Sequence, residues 1–137
     1  TLAPTGGISI LADCSSGIEP LFSRKFTKTI LNGVTLDFSE KYKDVDENLL
    51  STALEIDPEW HIRMQAAWQE NIDNAVSKTV NLANNTSVEI IKKLTLLAHS
   101  LGCKGVTFFR DGIRDQPLED ISDRGIPECD SRRCDIS

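Results

Sequence analysis

Residues 76 to 109 read VSKTVNLANNTSVEIIKKLTLLAHSLGCKGVTFF. Two β-branched segments flank a helical one. Val76 to Leu82 carries Val76, Thr79 and Val80 and gives way to turn residues, which predicts a strand. Thr86-Ser87-Val88-Glu89 has the form of a capping box, in which the Thr86 hydroxyl takes an orphan backbone N–H and Glu89 returns to the cap's own N–H. Val88, Ile91, Leu94, Leu97, Ala98 and Leu101 recur at helical spacing and predict one buried stripe. Gly102 falls just past the helix end, where a positive φ is needed. Val106-Thr107-Phe108-Phe109 predicts a second strand, stopped by Asp111-Gly112. Strand, helix and strand within roughly 35 residues make a βαβ unit, with parallel strands and a right-handed crossover. The fold class is therefore α/β. A parallel pair needs cover on both faces. Two strands and two or three helices do not supply it, so the unit is expected to complete a larger α/β barrel or sheet.

Upstream, Asp57 is a good N-cap and Pro58 suits the first helical position. Trp60, Met64, Ala67, Trp68, Ile72 and Ala75 then predict an apolar face. Leu21 to Ile30 and Gly33 to Phe38 are strand candidates, and Lys41 to Glu47 is charged and expected to be solvated. Pro4-Thr5-Gly6-Gly7 forms a loop that opens a short helix over Ile8 to Ala12, ended near Ser15-Ser16-Gly17.

The 137 residues carry a net charge of −6. That balance argues against a nucleic-acid surface, which needs a basic stripe to displace counterions. No apolar run approaches the length of a membrane span. Thr1-Leu2-Ala3-Pro4 lacks the basic start and apolar core of a signal peptide. A cytoplasmic chain cut from something longer is expected. Eight acids against four bases lie from Asp111 onward. Residues 111–137 are accordingly expected to be a flexible acidic tail, and residues 1–110 the folded segment. Of the four cysteines, Cys14 and Cys103 are expected to be small buried residues. His61 and His99 are expected to be structural or exposed, and Lys78 to be solvated.

Thr5-Gly6-Gly7-Ile8-Ser9 invites a second reading. A helix start offers unpaired N–H groups and the positive end of the dipole. Glycines let an anion approach, and Thr5 and Ser9 add hydroxyls. That chemistry suits phosphate. An ordinary N-cap with glycines in a turn fits the same residues.

Ala3 to Ser9, followed by Cys14-Ser15-Ser16-Gly17-Ile18-Glu19-Pro20, resembles a stretch of the cobalamin-dependent ribonucleotide reductases. Further matches follow in order at Asp57 to Ala67, Asp73 to Leu82, Leu101 to Gly105 and Arg110 to Gly112, so the resemblance spans residues 3 to 115. It implies the C-terminal part of a ten-stranded α/β barrel, incomplete here, in which ribonucleotides become deoxyribonucleotides by a radical mechanism. It implies adenosylcobalamin as cofactor, with most contacts upstream, and the remainder of the reductase chain as partner. It also implies that Thr5, Gly6, Gly7, Ile8 and Ser9 hold the substrate phosphate, largely through backbone N–H groups. Where the family has a hydroxyl residue, this chain has Gly7. Main-chain binding is then undisturbed, whereas a side-chain contribution is lost. The family's Asn-x-Cys-x-Glu finger-loop motif is not in this sequence. Phe108-Phe109 occupies the neighbourhood where the di-iron class has a tyrosine pair. Phenylalanine has no phenolic hydrogen to relay, so these two read as core aromatics.

Cys129-Asp130-Ser131-Arg132-Arg133-Cys134 closes the chain. The spacing allows the two sulfurs to meet in a small loop. A tail ending in two thiols resembles the shuttle arm of these reductases, which implies that Cys129 and Cys134 re-reduce an active-site pair and are themselves reduced by a thioredoxin-like partner. Roughly 20 residues of coil span about 25 Å, the scale of a domain radius. Arg132 and Arg133 favour thiolate. Half of a zinc site and an incidental tail are the competing readings. For the chain as a whole, the alternative to a reductase segment is a non-catalytic remnant that binds phosphate weakly or pairs with a missing barrel. Alone, the fragment is expected to be inactive.

Overall fold

The computed structural model describes residues 1–29, 33–38, 40–112 and 118–120. Helix α1 is Gly6–Leu11. Strands β1 (Phe26–Thr29) and β2 (Thr35–Asp37) follow, then a 3-10 turn at Glu47–Leu49 and helix α2 (Pro58–Gln69). Strand β3 (Thr79–Leu82), helix α3 (Val88–Ser100), strand β4 (Thr107–Arg110) and strand β5 (Leu118–Asp120) complete the order.

The βαβ unit forms as expected. β3 and β4 are parallel, with Val80 opposite Phe108 and Leu82 opposite Arg110. Gly102 ends α3 at φ 76°, a conformation open to glycine at little cost. Burial alternates along the strand. Val76, Lys78, Val80 and Leu82 are buried, while Ser77, Thr79 and Asn81 are half-buried. α2 and α3 cover the first set. Ile62, Val80, Leu82, Leu94 and Ala98 form the core, with Ile91, Leu97, Cys103, Val106 and Phe108 packed against it. Each fully buried aliphatic contributes roughly 1.5–3 kcal/mol. The other side of the pair, at Thr79 and Asn81, stays partly open.

Beside this unit, β1 pairs antiparallel with β2 and with β5. Phe26 stacks on Phe38 at 4.8 Å between ring centroids and meets Phe22 edge-on at 6.3 Å. β5 falls within the acidic stretch expected to lack regular structure. A three-residue ladder rests on backbone hydrogen bonds and needs no apolar periodicity.

Three local expectations are corrected. Ser87, not Thr86, caps α3, with its Oγ accepting from Ile90 N–H at 3.4 Å. The start is one residue later because Ser87 takes the extended backbone a cap requires, at φ −76° and ψ 158°. Val88 and Leu101, at the ends of the predicted stripe, are exposed.

The larger correction concerns α2, whose face is reversed. Asp57 caps it and Pro58 opens it as expected. Yet Trp60, Met64, Ala67 and Trp68 are exposed, and His61, Ile62, Gln65, Ala66 and Gln69 are buried. The buried polar groups serve the backbone. Gln65 Nε2 donates to the carbonyls of Val76 at 2.9 Å and Gly105 at 2.7 Å. Gln69 Nε2 donates to those of Ile72 at 2.9 Å and Asn74 at 2.7 Å. A long amide can thus be worth more inside than an indole, because loop carbonyls left unpaired there are costly.

Candidate functional site

The segment before α1 is built around a strained residue. Thr5, the N-cap, sits at φ 53° and ψ 21°, a left-handed region that β-branched residues rarely enter. Such a conformation costs of order 1–3 kcal/mol and persists where its surroundings over-determine it. Gly17 N–H donates to Thr5 Oγ1 at 3.1 Å, and Ser16 Oγ donates to the Pro4 carbonyl at 2.5 Å. Gly17 has φ 53°, and a Cβ there would lie 3.4 Å from the Ala3 carbonyl oxygen, so the two loops approach closely. Leu2 is tied separately: its N–H donates to Ala75 O at 3.2 Å, and its carbonyl accepts from Ser77 N–H at 2.9 Å.

What this presents is a short row of backbone donors. Ser9 N–H closes onto Thr5 O at 2.9 Å. The N–H groups of Gly6, Gly7 and Ile8 precede the first intrahelical bond and have no helical acceptor. A Cβ built on Gly7 would meet nothing within 4 Å, and one on Gly6 would meet Lys28 Nζ at 3.7 Å. β1 therefore brings an ammonium beside the glycine turn. Backbone donors next to a cation can hold an anion. The hydroxyls are partly committed elsewhere. Ser9 is buried and its Oγ donates to Gly6 O at 3.0 Å, while Thr5 Oγ1 already accepts from Gly17.

The turn at Gly17 leads to an ion pair between half-buried Glu19 and buried Lys78. Lys78 Nζ donates to Glu19 Oε2 at 2.6 Å and to Thr79 O at 2.5 Å. Glu19 Oε1 accepts from Thr79 N–H at 2.6 Å. The Lys78 side chain is 2% exposed, which corrects the expectation of a solvated lysine. The strand alternation that buries Val76 and Val80 carries Lys78 to the same side, and the Glu19 carboxylate makes that burial tolerable. Burial pulls the Lys78 pKa down, while the hydrogen bond and charge of Glu19 oppose the shift. Nearby, His61 is buried with Nε2 3.0 Å from Ala53 O. Burial lowers its pKa, and the Lys78 charge adds to the effect. His61 is thus structural, as expected, and His99 is exposed.

Cys14 is exposed, not buried as expected, because it follows α1 in a surface turn beside Asp13. Cys103 packs against the core, and burial raises its thiol pKa. Cys129 and Cys134, with Arg132 and Arg133, lie outside the described residues. Phe108 and Phe109 are half-buried on β4. A hollow of about 620 Å³ lies on the outer face of α2, between Trp60, Arg63, Glu70 and Leu101.

Sequence reasoning missed two features, Lys28 and the Glu19–Lys78 pair. Lys28 carries no local signal, since only the fold brings β1 beside Gly6. Glu19 and Lys78 are 59 positions apart, although the period-2 run from Val76 to Leu82 marks position 78 as inward.

Residues 1–109 match the family model described as ribonucleotide reductase, barrel domain. Over 81% of its length the chain is 37% identical to the vitamin B12-dependent ribonucleoside-diphosphate reductase of Thermoplasma acidophilum, covering 18% of that protein. It is 32% identical to the enzyme of the same description from Mycobacterium tuberculosis, over 84% of the chain and 21% of that protein. A ribonucleoside-diphosphate reductase subunit alpha of Mycoplasma pneumoniae is 29% identical over 98% of the chain and 19% of its own length. The chain thus spans about a fifth of the length of these curated relatives.

Proposed function

We propose, from the premise that this chain belongs to the ribonucleotide reductase family, that it supplies the phosphate-binding wall of a reductase that turns ribonucleotides into deoxyribonucleotides by a radical mechanism. The observation that carries the reading is the glycine turn. The N–H groups of Gly6, Gly7 and Ile8 precede the first intrahelical bond of α1, a Cβ on Gly7 would meet nothing within 4 Å, and Lys28 Nζ stands beside Gly6. In this reading Thr5 to Ser9 hold the substrate phosphate, with Thr5 retaining its own O–H to donate and Ser9 bracing the turn. The unit formed by β3, α3 and β4 is the closing part of a ten-stranded barrel whose other strands belong to the parent chain. The partly open side at Thr79 and Asn81 faces the interior of that barrel.

Adenosylcobalamin is the parent's cofactor in this proposal, supported by the vitamin B12-dependent relatives. It would supply the radical. Most of the cofactor's contacts belong, in this reading, to the rest of the parent chain. Half-buried Phe108 and Phe109 carry no phenol, which accords with radical generation beside the site rather than relay along β4. The redox part of the proposal assigns Cys129 and Cys134 to the re-reduction of the active site and a thioredoxin-like protein to their own reduction.

The test is single-turnover formation of deoxyribonucleotide by the missing N-terminal part mixed with this chain, in the presence of adenosylcobalamin and a dithiol. Product that disappears when the chain is omitted is the expected result. No product from two parts shown to be folded and associated would instead establish a non-catalytic remnant.

A further inference from the structure

The strained Thr5 raises a question of support: what holds a β-branched residue at φ 53° at the mouth of an anion site? Thr5 is fixed through Oγ1 by the Gly17 N–H at 3.1 Å, and its predecessor Pro4 through its carbonyl by Ser16 Oγ at 2.5 Å. These two donors belong to a turn in which Glu19 N–H returns to Ser16 O at 3.0 Å. The turn is therefore only as steady as Glu19. Both Glu19 carboxylate oxygens are engaged, one by Thr79 N–H and one by Lys78 Nζ, each at 2.6 Å. Lys78 in turn is anchored at the entrance to β3. The other end of the segment, Leu2, is hydrogen-bonded to Ala75 and Ser77 on the same stretch. The result is a closed circuit running from Leu2 to Thr5, to Gly17, to Glu19, to Lys78 and back through Ser77. Its two moorings, at Ala75 and Ser77 and at Lys78 and Thr79, lie next to each other at the entrance to β3 and set where the glycine turn lies.

We infer that Glu19, clamped by Lys78 and the Thr79 N–H, is a positioning residue for the nucleotide's phosphate, acting through Ser16 and Gly17 on Pro4 and Thr5. The inference rests on the phosphate reading proposed above. Glu19 touches no phosphate itself: its carboxylate is spent on β3, and a second negative charge at the anion would repel it. Its work is to hold Thr5 in the left-handed conformation from which α1 and its first N–H groups, those of Gly6, Gly7 and Ile8, begin. Loss of the clamp lets Thr5 relax to a negative φ and turns those donors away. Binding then weakens while the chemistry on bound substrate is unchanged.

The experiment uses the full-length reductase that carries this segment, with steady-state kinetics against its ribonucleotide. Glu19→Gln places an amide against the Lys78 ammonium and opens the clamp. The expected result is a KM raised roughly tenfold with kcat within about twofold, the pattern of lost ground-state binding. Ser16→Ala removes only the bond to the Pro4 carbonyl and leaves the Glu19–Lys78 pair intact, so it remains measurable if Glu19→Gln does not fold. It should raise KM about threefold. Gly7→Asp, measured in parallel, puts a carboxylate into the open space at the turn and should raise KM strongly. An unchanged KM for Gly7→Asp overturns the phosphate reading and this inference with it. A raised KM for Gly7→Asp with an unchanged KM for both Ser16→Ala and folded Glu19→Gln overturns the positioning role alone. So does a fall in kcat, at unchanged KM, that merely tracks the folded fraction.

Discussion

At the scale of single residues, two positions make opposite demands on the environment. Gly7 stands where the resembling family has a hydroxyl, and nothing lies within 4 Å of the space its Cβ would fill. Gly7→Ser should therefore add a donor at no steric cost and lower the KM for nucleotide severalfold in the full-length reductase. An unchanged KM would show that main-chain donors suffice. His61 is the reverse case, a side chain with no room. Burial and the Lys78 charge both depress its pKa, so the folded state binds its proton less readily than the unfolded chain. The stability linked to it is complete above the ordinary value of 6.5 and is lost as pH falls from there toward the lower folded value. The Tm of the reductase should drop between pH 8 and 5, and His61→Gln should flatten that drop. Equal slopes would remove His61 as the cause.

At the scale of elements, α3 was legible and α2 was misleading. The α3 stripe at Leu94 and Ala98 is buried, and the helix reads correctly because its covered side is apolar. Leu94→Ala should cost roughly 2–5 kcal/mol of unfolding free energy, read from denaturant titration. Its start was misread by one residue, and capping energetics distinguish the two assignments. Ser87→Ala should cost about 1 kcal/mol, whereas Thr86→Ala should cost much less. α2 inverts the usual rule. Its periodic Trp and Met residues face outward, while His61, Gln65 and Gln69 point in to bind loop carbonyls, that of Ala53 among them. Hydrophobic periodicity assumes that burial follows apolarity. It fails where buried backbone needs long polar side chains, and where an apolar helix face is left for something else to cover.

At the scale of the whole molecule, that uncovered face is consistent with a segment that spans about a fifth of its relatives. Trp60 is 65% exposed and Trp68 45%. Among the described residues, helices pack the β3–β4 pair on one side. The isolated chain should accordingly unfold without a cooperative thermal transition and gain one when mixed with the N-terminal part of the parent. A sharp transition of the chain alone, followed by circular dichroism or calorimetry, would overturn that expectation.

The sequence by itself determined the elements whose causes are local. The Asp57 cap and Pro58, the stop at Gly102 and the parallel strands on either side of α3 all rest on the preferences of a few neighbouring residues, whereas α1 begins at Gly6, two residues before the expected Ile8. Residues 3 to 115 also carried enough motif to place the family. Tertiary structure alone decided the rest: which side of α2 is inside, that Lys78 is buried, that Glu19 reaches it across 59 positions, and that Lys28 stands beside Gly6. The physical reason is common to all four. Each depends on where the chain folds back on itself, whether a nearby loop or the Gly105 carbonyl 40 positions from Gln65, an opposite charge to neutralise or a strand edge laid beside a turn, and no local pattern records where that partner will be.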